Sequence, residues 1–107
     1  MSDHHICEWV GVSGTKYQYT VYLLPKDLPA KPGNYVFCKI DTNKRWIPIY
    51  MGQTENLSER FDGHHAMPCI KNHQATHIHV HVNVGGKQAR LGEEKDLLRS
   101  YRPPCNG

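Results

Sequence analysis

The sequence predicts an α+β fold in which a small central antiparallel β-sheet is flanked by helices. Its first half contains β-branched and aromatic segments separated by turn residues, which is typical of hairpins. A long helical pattern closes the chain, and 107 residues suffice for one compact domain with a modest core. We therefore expect a single domain, with an N-terminal β-hairpin extension and Pro-rich lead-in over residues 1–32 and a core over 33–107.

Four strands are predicted in the first half of the chain. The segments ICEWVGV and KYQYTVYLL flank the turn-like SGT and form the first hairpin. The segments NYVFCKI and WIPIYM enclose DTNKR and form the second. If the second hairpin is symmetric about Thr42 and Asn43, Tyr35 lies directly opposite Tyr50 on the same face. Two phenol side chains would then meet near one end of the sheet.

The segment ATHIHVHVNV predicts a fifth strand whose two faces differ in chemistry. One face carries Ile78, Val80 and Val82, and the other carries His77, His79 and His81. Three interpretations of the histidine face remain open. It is a polar outer face, or a groove that contacts phosphates, or a zinc site completed by Cys69 and His73, since thiols and imidazoles are the ligands that zinc prefers.

Two helices are predicted in the second half. The first begins with Asn56 as N-cap and Glu59 three residues later, and it places Arg60 and His64 on one face. The second is KQARLGEEKDLLRSY, which ends before two consecutive prolines.

The final helix carries a carboxylate on its predicted inward stripe. Stepping back from Leu97 and Leu98 by three and four residues reaches Glu94, whereas Glu93 lies about 100° away. An inward carboxylate needs a partner. Glu94 either pairs with Arg90 at i−4, or lies at a half-exposed edge of the stripe, or is a functional carboxylate.

Composition sets broad limits on function. A net charge of +3 and a pI of about 8.7 permit a polyanionic partner without requiring one. No signal peptide or membrane-spanning segment is recognisable, so we expect a cytoplasmic protein without a membrane partner. The cysteines form no CxxC pair, which favours reduced thiols over a disulfide framework. They are Cys7, Cys38, Cys69 and Cys105.

Five sequence elements occur in a fixed order along residues 33–107. In chain order they are GNY (33–35), YMG (50–52), Arg60, His64 and the pattern ExxLLxxYRPPxN (94–106). Their order and spacing resemble those of the GIY-YIG nuclease family, across most of the chain. The sequence departs from the family pattern at Asn34, Met51 and Gln53.

This resemblance implies a GIY-YIG-like sheet and a metal-dependent endonuclease that hydrolyses phosphodiester bonds, with DNA as the favoured nucleic acid. One divalent cation, Mg²⁺ or Mn²⁺, would bind Glu94, because hard cations prefer oxygen ligands. Substrate specificity would come from loops, self-association or a partner protein. The alternatives are a catalytically silent nucleic-acid-binding domain and a zinc-binding protein that uses His73 and the histidines of the fifth strand.

The resemblance also implies a role for each motif residue. Arg60 would stabilise the transition state, since a guanidinium offers phosphate a fixed set of donors. Tyr35 would accept a proton from the attacking water, Tyr50 would position that water, and His64 is an alternative base. The residues implied to shape or position the site are Gly33, Gly52 and Asn106.

Overall fold

The chain folds into a five-stranded antiparallel sheet with one helix on each face. A computed structural model describes residues 5–59, 61 and 63–107. In chain order its elements are β1 (His5–Val10), β2 (Lys16–Leu23), β3 (Gly33–Ile40), β4 (Trp46–Thr54), α1 (Met67–Asn72), β5 (His77–Val82), α2 (Lys87–Tyr101) and a C-terminal 3₁₀ turn (Pro104–Asn106). The strand order is β1-β2-β5-β3-β4, with every neighbouring pair antiparallel. The predicted α+β class is confirmed.

Within the described ranges, no helix combines the length and the apolar character that crossing a membrane would require.

Alternation along the strands builds a separate core on each face of the sheet. The α1-side core consists of Tyr35, Phe37, Ile49, Tyr50, Leu57, Ala66, Ile70, Ile78 and Val80. The α2-side core consists of Trp9, Tyr19, Val36, Cys38, Met51 and Leu97. Because consecutive residues of β3 enter different cores, the two helices lie on opposite faces of one sheet.

The predicted pairing of Tyr35 with Tyr50 is wrong. Tyr35 pairs with Gly52 and Tyr50 with Phe37. The hairpin is centred on Asn43, so that Ile40 pairs with Trp46, and a bulge then inserts Ile49 into β4 and shifts the register by one more residue. An extra residue in one strand cannot be read from a symmetric hairpin. The phenol rings nevertheless lie on the same face and stack, with their centroids 6.2 Å apart.

The helix predicted to begin at Asn56 is also wrong. The Asn56 side-chain oxygen accepts hydrogen bonds from the backbone N–H and the hydroxyl of Ser58, at 2.9 and 2.6 Å. This local turn competes with a helix for the same backbone groups. The described residues that follow lie in turns and irregular structure until α1 begins at Met67. His64 therefore does not lie on a helix, and Arg60, predicted to share its helical face, lies outside the described residues.

Helix α2 has the predicted bounds but buries a different face. Its buried residues are Arg90, Glu93 and Leu97, whereas Glu94 is half-buried. The placement of Glu93 away from the core is wrong, since only 4% of this residue is exposed. Apolar periodicity missed this face because two of its three buried residues are charged and find polar partners elsewhere in the fold.

Glu93 is held by groups from β2, β5 and the segment after β5. The Tyr19 hydroxyl donates to one carboxylate oxygen at 2.6 Å, and His81 Nδ1 lies 2.8 Å from the same oxygen. The side-chain amide of Asn83 donates to the other oxygen at 3.3 Å. The hydrogen bond to Glu93 raises the pKa of His81. These contacts fix α2 against the sheet and make Glu93 a structural residue.

His79 is buried inside the α2-side core and does not face solvent. It is 0% exposed, and its ring centroid lies 4.5 Å from that of Trp46 and 5.7 Å from that of Trp9. The Trp9 indole N–H donates to His79 Nδ1 at 3.0 Å. Nδ1 therefore acts as an acceptor, and the neutral ring carries its proton on Nε2. The interpretation of the histidine face as a polar outer surface is wrong at this position.

Acid is expected to destabilise the protein through His79. Burial, with a smaller effect from His77, lowers the pKa of His79 to about 4, against about 6.5 when unfolded. Since the folded-state pKa is the lower one, the unfolded chain binds more protons between these values. The stabilisation is present above about pH 6.5 and is lost as the pH falls toward about 4, roughly 3 kcal/mol in all.

Urea unfolding midpoints measured from pH 7 to pH 4 test this effect. The wild type should lose more stability over this range than His79→Gln, which has no imidazole to protonate. Equal losses in the two proteins would contradict the assignment.

Candidate functional site

Residues from β3, β4, α2 and the β4–α1 connection surround one cavity. It has a volume of about 440 Å³. Its walls include Tyr35, Tyr50, Gln53, His64, His65 and Glu94. The structure thus brings together the two phenols, the imidazole and the carboxylate that the sequence motifs single out.

Gly52 makes room for the Tyr35 ring. A Cβ atom at Gly52 would lie 2.6 Å from both Cζ and Oη of Tyr35 and 2.9 Å from Cε2 of Tyr50. These distances are far below van der Waals contact, and the obstacles are packed rings. Gly52 lies within β4 and not in a turn. Its role is to let an aromatic side chain cross the backbone.

A hydrogen bond joins Tyr35 to His64. The Tyr35 hydroxyl oxygen lies 2.9 Å from His64 Nε2. The backbone N–H of Ala66 donates to His64 Nδ1 at 3.0 Å, so Nδ1 is an acceptor and Nε2 carries the proton of the neutral ring. His64 therefore donates to the Tyr35 oxygen, and the phenolic proton of Tyr35 remains available to another acceptor.

Burial governs the ionisation of these side chains in the protein alone. It lowers the pKa of His64, an effect reinforced by the neighbouring His65, so the imidazole is neutral at pH 7. Burial raises the pKa of Tyr35, with further contributions from Tyr50 and Glu94. The pKa of Tyr50 is raised by burial and by Glu94. Both phenols are therefore protonated at neutral pH unless positive charge is brought close to them.

Glu94 presents a half-buried carboxylate to the cavity, and burial raises its pKa. The interpretation that it pairs with Arg90 is wrong. Arg90 Nε instead donates to Gln53 Oε1 at 2.9 Å, and among the described residues no ion pair joins Arg90 to Glu94. One carboxylate beside an open cavity fits Mg²⁺ or Mn²⁺, because Mg²⁺ retains several waters and adds substrate phosphate oxygens to one or two carboxylates.

Asn106 and Gly33 each allow two segments of the chain to lie close together. The Asn106 side chain donates to the Met51 carbonyl and accepts from the Met51 backbone N–H, both at 2.8 Å. The C-terminal 3₁₀ turn is thereby fixed to β4 between the motif positions 50 and 52. A Cβ at Gly33 would lie 2.6 Å from the carbonyl oxygen of His81 and 2.7 Å from Leu57 Cδ1. Glycine is needed there for close approach of β3 to its neighbours.

The predicted zinc set is assembled only in part, since Cys69 and His73 lie close together but His79 and His81 of β5 do not join them. His79 packs on Trp9, and His81 binds Glu93 of α2, so both imidazoles face the α2 side of the sheet. Helix α1, which carries Cys69, packs its buried residue into the core on the other face. His73, at the C-terminal cap of α1, is likewise separated from the histidines of β5 by the sheet.

The expectation of reduced thiols is wrong for one pair of cysteines. The sulfur atoms of Cys69 and Cys105 are bonded to each other, with Cα atoms 5.7 Å apart. The residues are 36 positions apart in sequence, and spacing alone could not show that α1 and the 3₁₀ turn meet. Cys7 and Cys38 are free.

Two lining residues were missed at the sequence level. His65 stacks on His64 with ring centroids 4.6 Å apart. Gln53, which we noted only as a departure from the family pattern, binds Arg90 at the cavity wall. The repeated imidazole in DGHHA is visible in the sequence, whereas the Gln53 contact depends on tertiary packing.

Comparison with protein-family models, with curated proteins and with solved structures finds no match.

Proposed function

We propose that the protein is a metal-dependent endonuclease that hydrolyses phosphodiester bonds in DNA through a GIY-YIG-type site. The observation that carries this proposal is the Tyr35–His64 hydrogen bond in a cavity that Tyr50 and Glu94 also line. These four side chains come from separate segments of the chain, and each matches a position of the motif pattern. Phosphodiester hydrolysis needs an activated water and stabilisation of negative charge, and this set offers groups for both.

Tyr35 is the proposed general base. Its oxygen accepts a hydrogen bond from the His64 N–H, and this hydrogen bond stabilises a phenolate when one forms. Once Tyr35 has lost its own phenolic proton to solvent, its phenolate oxygen takes a proton from the attacking water. The Tyr50 hydroxyl, on the same face, orients that water by a hydrogen bond. Glu94 would hold the divalent cation. When bound, that cation supplies positive charge to the phosphate oxygens and the leaving group.

Arg60 is proposed to contact the phosphoryl oxygens, on the basis of its position in the sequence motif. We expect Arg60→Ala to lower single-turnover DNA cleavage by about 10²- to 10³-fold, the usual cost of removing one donor to a developing charge. Its melting temperature should stay close to that of the wild type.

Arg45→Ala is the matched control, because Arg45 is exposed in the β3–β4 turn and pairs only weakly with Asp41 at 3.6 Å. Equal cleavage by the two variants would contradict the role of Arg60. So would a loss of stability in Arg60→Ala as large as that of a core truncation.

A further inference from the structure

Cys69, His73 and Cys105 form a compact cluster of two sulfurs and an imidazole. Cys69 lies in the first turn of α1, and His73 is its C-terminal cap, four residues later. Cys105 lies in the 3₁₀ turn. One ligand atom from each residue lies within 4.8 Å of the other two, and all three residues are half-buried. A disulfide requires only the two cysteines, so the imidazole at this distance is an additional feature.

We propose that, once the two cysteines are reduced, this cluster binds one Zn²⁺ ion. Zinc prefers thiolate and imidazole ligands, at about 2.3 Å for sulfur and about 2.0–2.1 Å for nitrogen. Tetrahedral ligand atoms at those bond lengths lie about 3.5–3.8 Å from one another. The imidazole nitrogen and both sulfurs already lie within 4.8 Å of one another, so modest movements separate them from this spacing once the S–S bond is broken. Water would complete the tetrahedron.

The disulfide and the metal use the same sulfur atoms, so the two states exclude each other. A dithiol reductant transfers two electrons and two protons to the sulfurs of Cys69 and Cys105 and becomes a disulfide itself. Zinc binding then releases the two thiol protons, because only thiolates are ligands. In both states α1 is cross-linked to the 3₁₀ turn.

The cross-link lies one residue from the contact that anchors the end of the chain. Asn106, next to Cys105, makes both hydrogen bonds to Met51 of β4. Zinc bound by Cys105 would therefore keep this anchor in place when the disulfide is reduced. The site does not depend on the proposed nuclease activity, and its test uses metal binding alone.

The test is a Co²⁺ titration of metal-free protein that has been reduced with a phosphine. We expect one equivalent of Co²⁺ to bind with a thiolate-to-cobalt charge-transfer absorption, which Zn²⁺ then removes by displacement. Cys105→Ser should lose this absorption. His73→Gln should bind at least about tenfold more weakly, since even loss of a group that only orients a ligand costs about 10- to 100-fold.

Two matched variants control for the residue types. Cys7→Ser and His5→Gln remove a cysteine and an exposed imidazole of β1, and both should titrate like the wild type. His73→Gln keeps both cysteines, so its folding can be verified by circular dichroism in the disulfide form. A comparison that needs no variant is the wild type before and after reduction, where only the reduced protein should show the thiolate-to-cobalt absorption. Absence of the absorption in reduced protein, its survival in Cys105→Ser, or an equal absorption before reduction would overturn the proposal.

Discussion

Glu94→Gln is expected to lower DNA cleavage in Mg²⁺ by about 10³-fold or more while substrate binding is retained. The amide keeps the shape and the helix propensity of the side chain but removes the anionic ligand, and metal charge stabilisation is worth several kcal/mol in the transition state. Binding of DNA should be unchanged or tighter, because a negative charge near phosphates is removed. Single-turnover cleavage and fluorescence anisotropy with labelled DNA measure the two effects separately.

The control for this experiment must be an exposed glutamate far from the cavity. Glu93→Gln is unsuitable, because Glu93 is buried and bound by Tyr19 and His81. Glu8→Gln on β1 removes the same charge from an exposed position and should cleave like the wild type. If Glu94→Gln and Glu8→Gln cleave equally well in Mg²⁺, the metal assignment is wrong. Normal DNA binding without cleavage in the wild type would instead favour the catalytically silent domain.

Tyr35→Phe is expected to lower cleavage by about 10²- to 10⁴-fold, the usual contribution of a general base. The ring would still pack over Gly52, so the fold should lose only the hydrogen bond to His64, about 1 kcal/mol. Tyr22→Phe removes a phenolic hydroxyl from β2 and serves as the control. Cleavage by Tyr35→Phe at the rate of Tyr22→Phe would exclude Tyr35 as the base.

The pH profile of cleavage separates Tyr35 from His64 as the base. A phenol with a raised pKa makes the rate climb with pH through neutrality, since the reactive phenolate fraction keeps growing. The pKa of His64 is lowered, so a rate governed by His64 would already be flat above about pH 6.5. The variant His64→Gln provides a second test of whether Tyr35 or His64 is the base. Its amide can still donate to Tyr35, so we expect a loss of about tenfold or less if Tyr35 is the base.

Local pattern predicted several elements of the fold well. The period of α2 and the prolines after it gave its bounds correctly, because few alternatives exist for a long helical pattern with a clear stop. Strict alternation in β5 separated Ile78 and Val80 from His79 correctly. The nature of the histidine face was not predictable, since it depends on Trp9, which is 70 residues away in sequence.

Other elements depend on tertiary interactions that the local sequence pattern does not show. The segment that begins at Asn56 has the sequence pattern of a helix start. The Asn56 side chain nevertheless closes a local turn with Ser58. The β3–β4 register depends on an inserted residue. Glu93 is buried because Tyr19, 74 residues away, donates to it. Hydrophobic periodicity reflects only the polarity of each residue, so it does not reveal a polar partner that is distant in sequence.

The candidate site shows the same division between motif and geometry. The motif order named Tyr35, Tyr50, His64 and Glu94 together, and the structure places them around one cavity. The tautomer of His64 could not be predicted, because it is set by the backbone N–H of Ala66. The reason for Gly52 required the position of the Tyr35 ring.

Cleavage by the wild-type protein is the most direct test of the proposed hydrolytic function. Purified protein is incubated with end-labelled duplex, branched and single-stranded DNA, and with RNA as a comparison, in Mg²⁺, in Mn²⁺ or in EDTA. We predict cleavage of at least one DNA substrate in Mg²⁺ or Mn²⁺, its loss in EDTA, and its loss in Tyr35→Phe under the same conditions. Binding without cleavage of any DNA substrate in either metal, or cleavage that persists in EDTA, would contradict a metal-dependent DNA endonuclease.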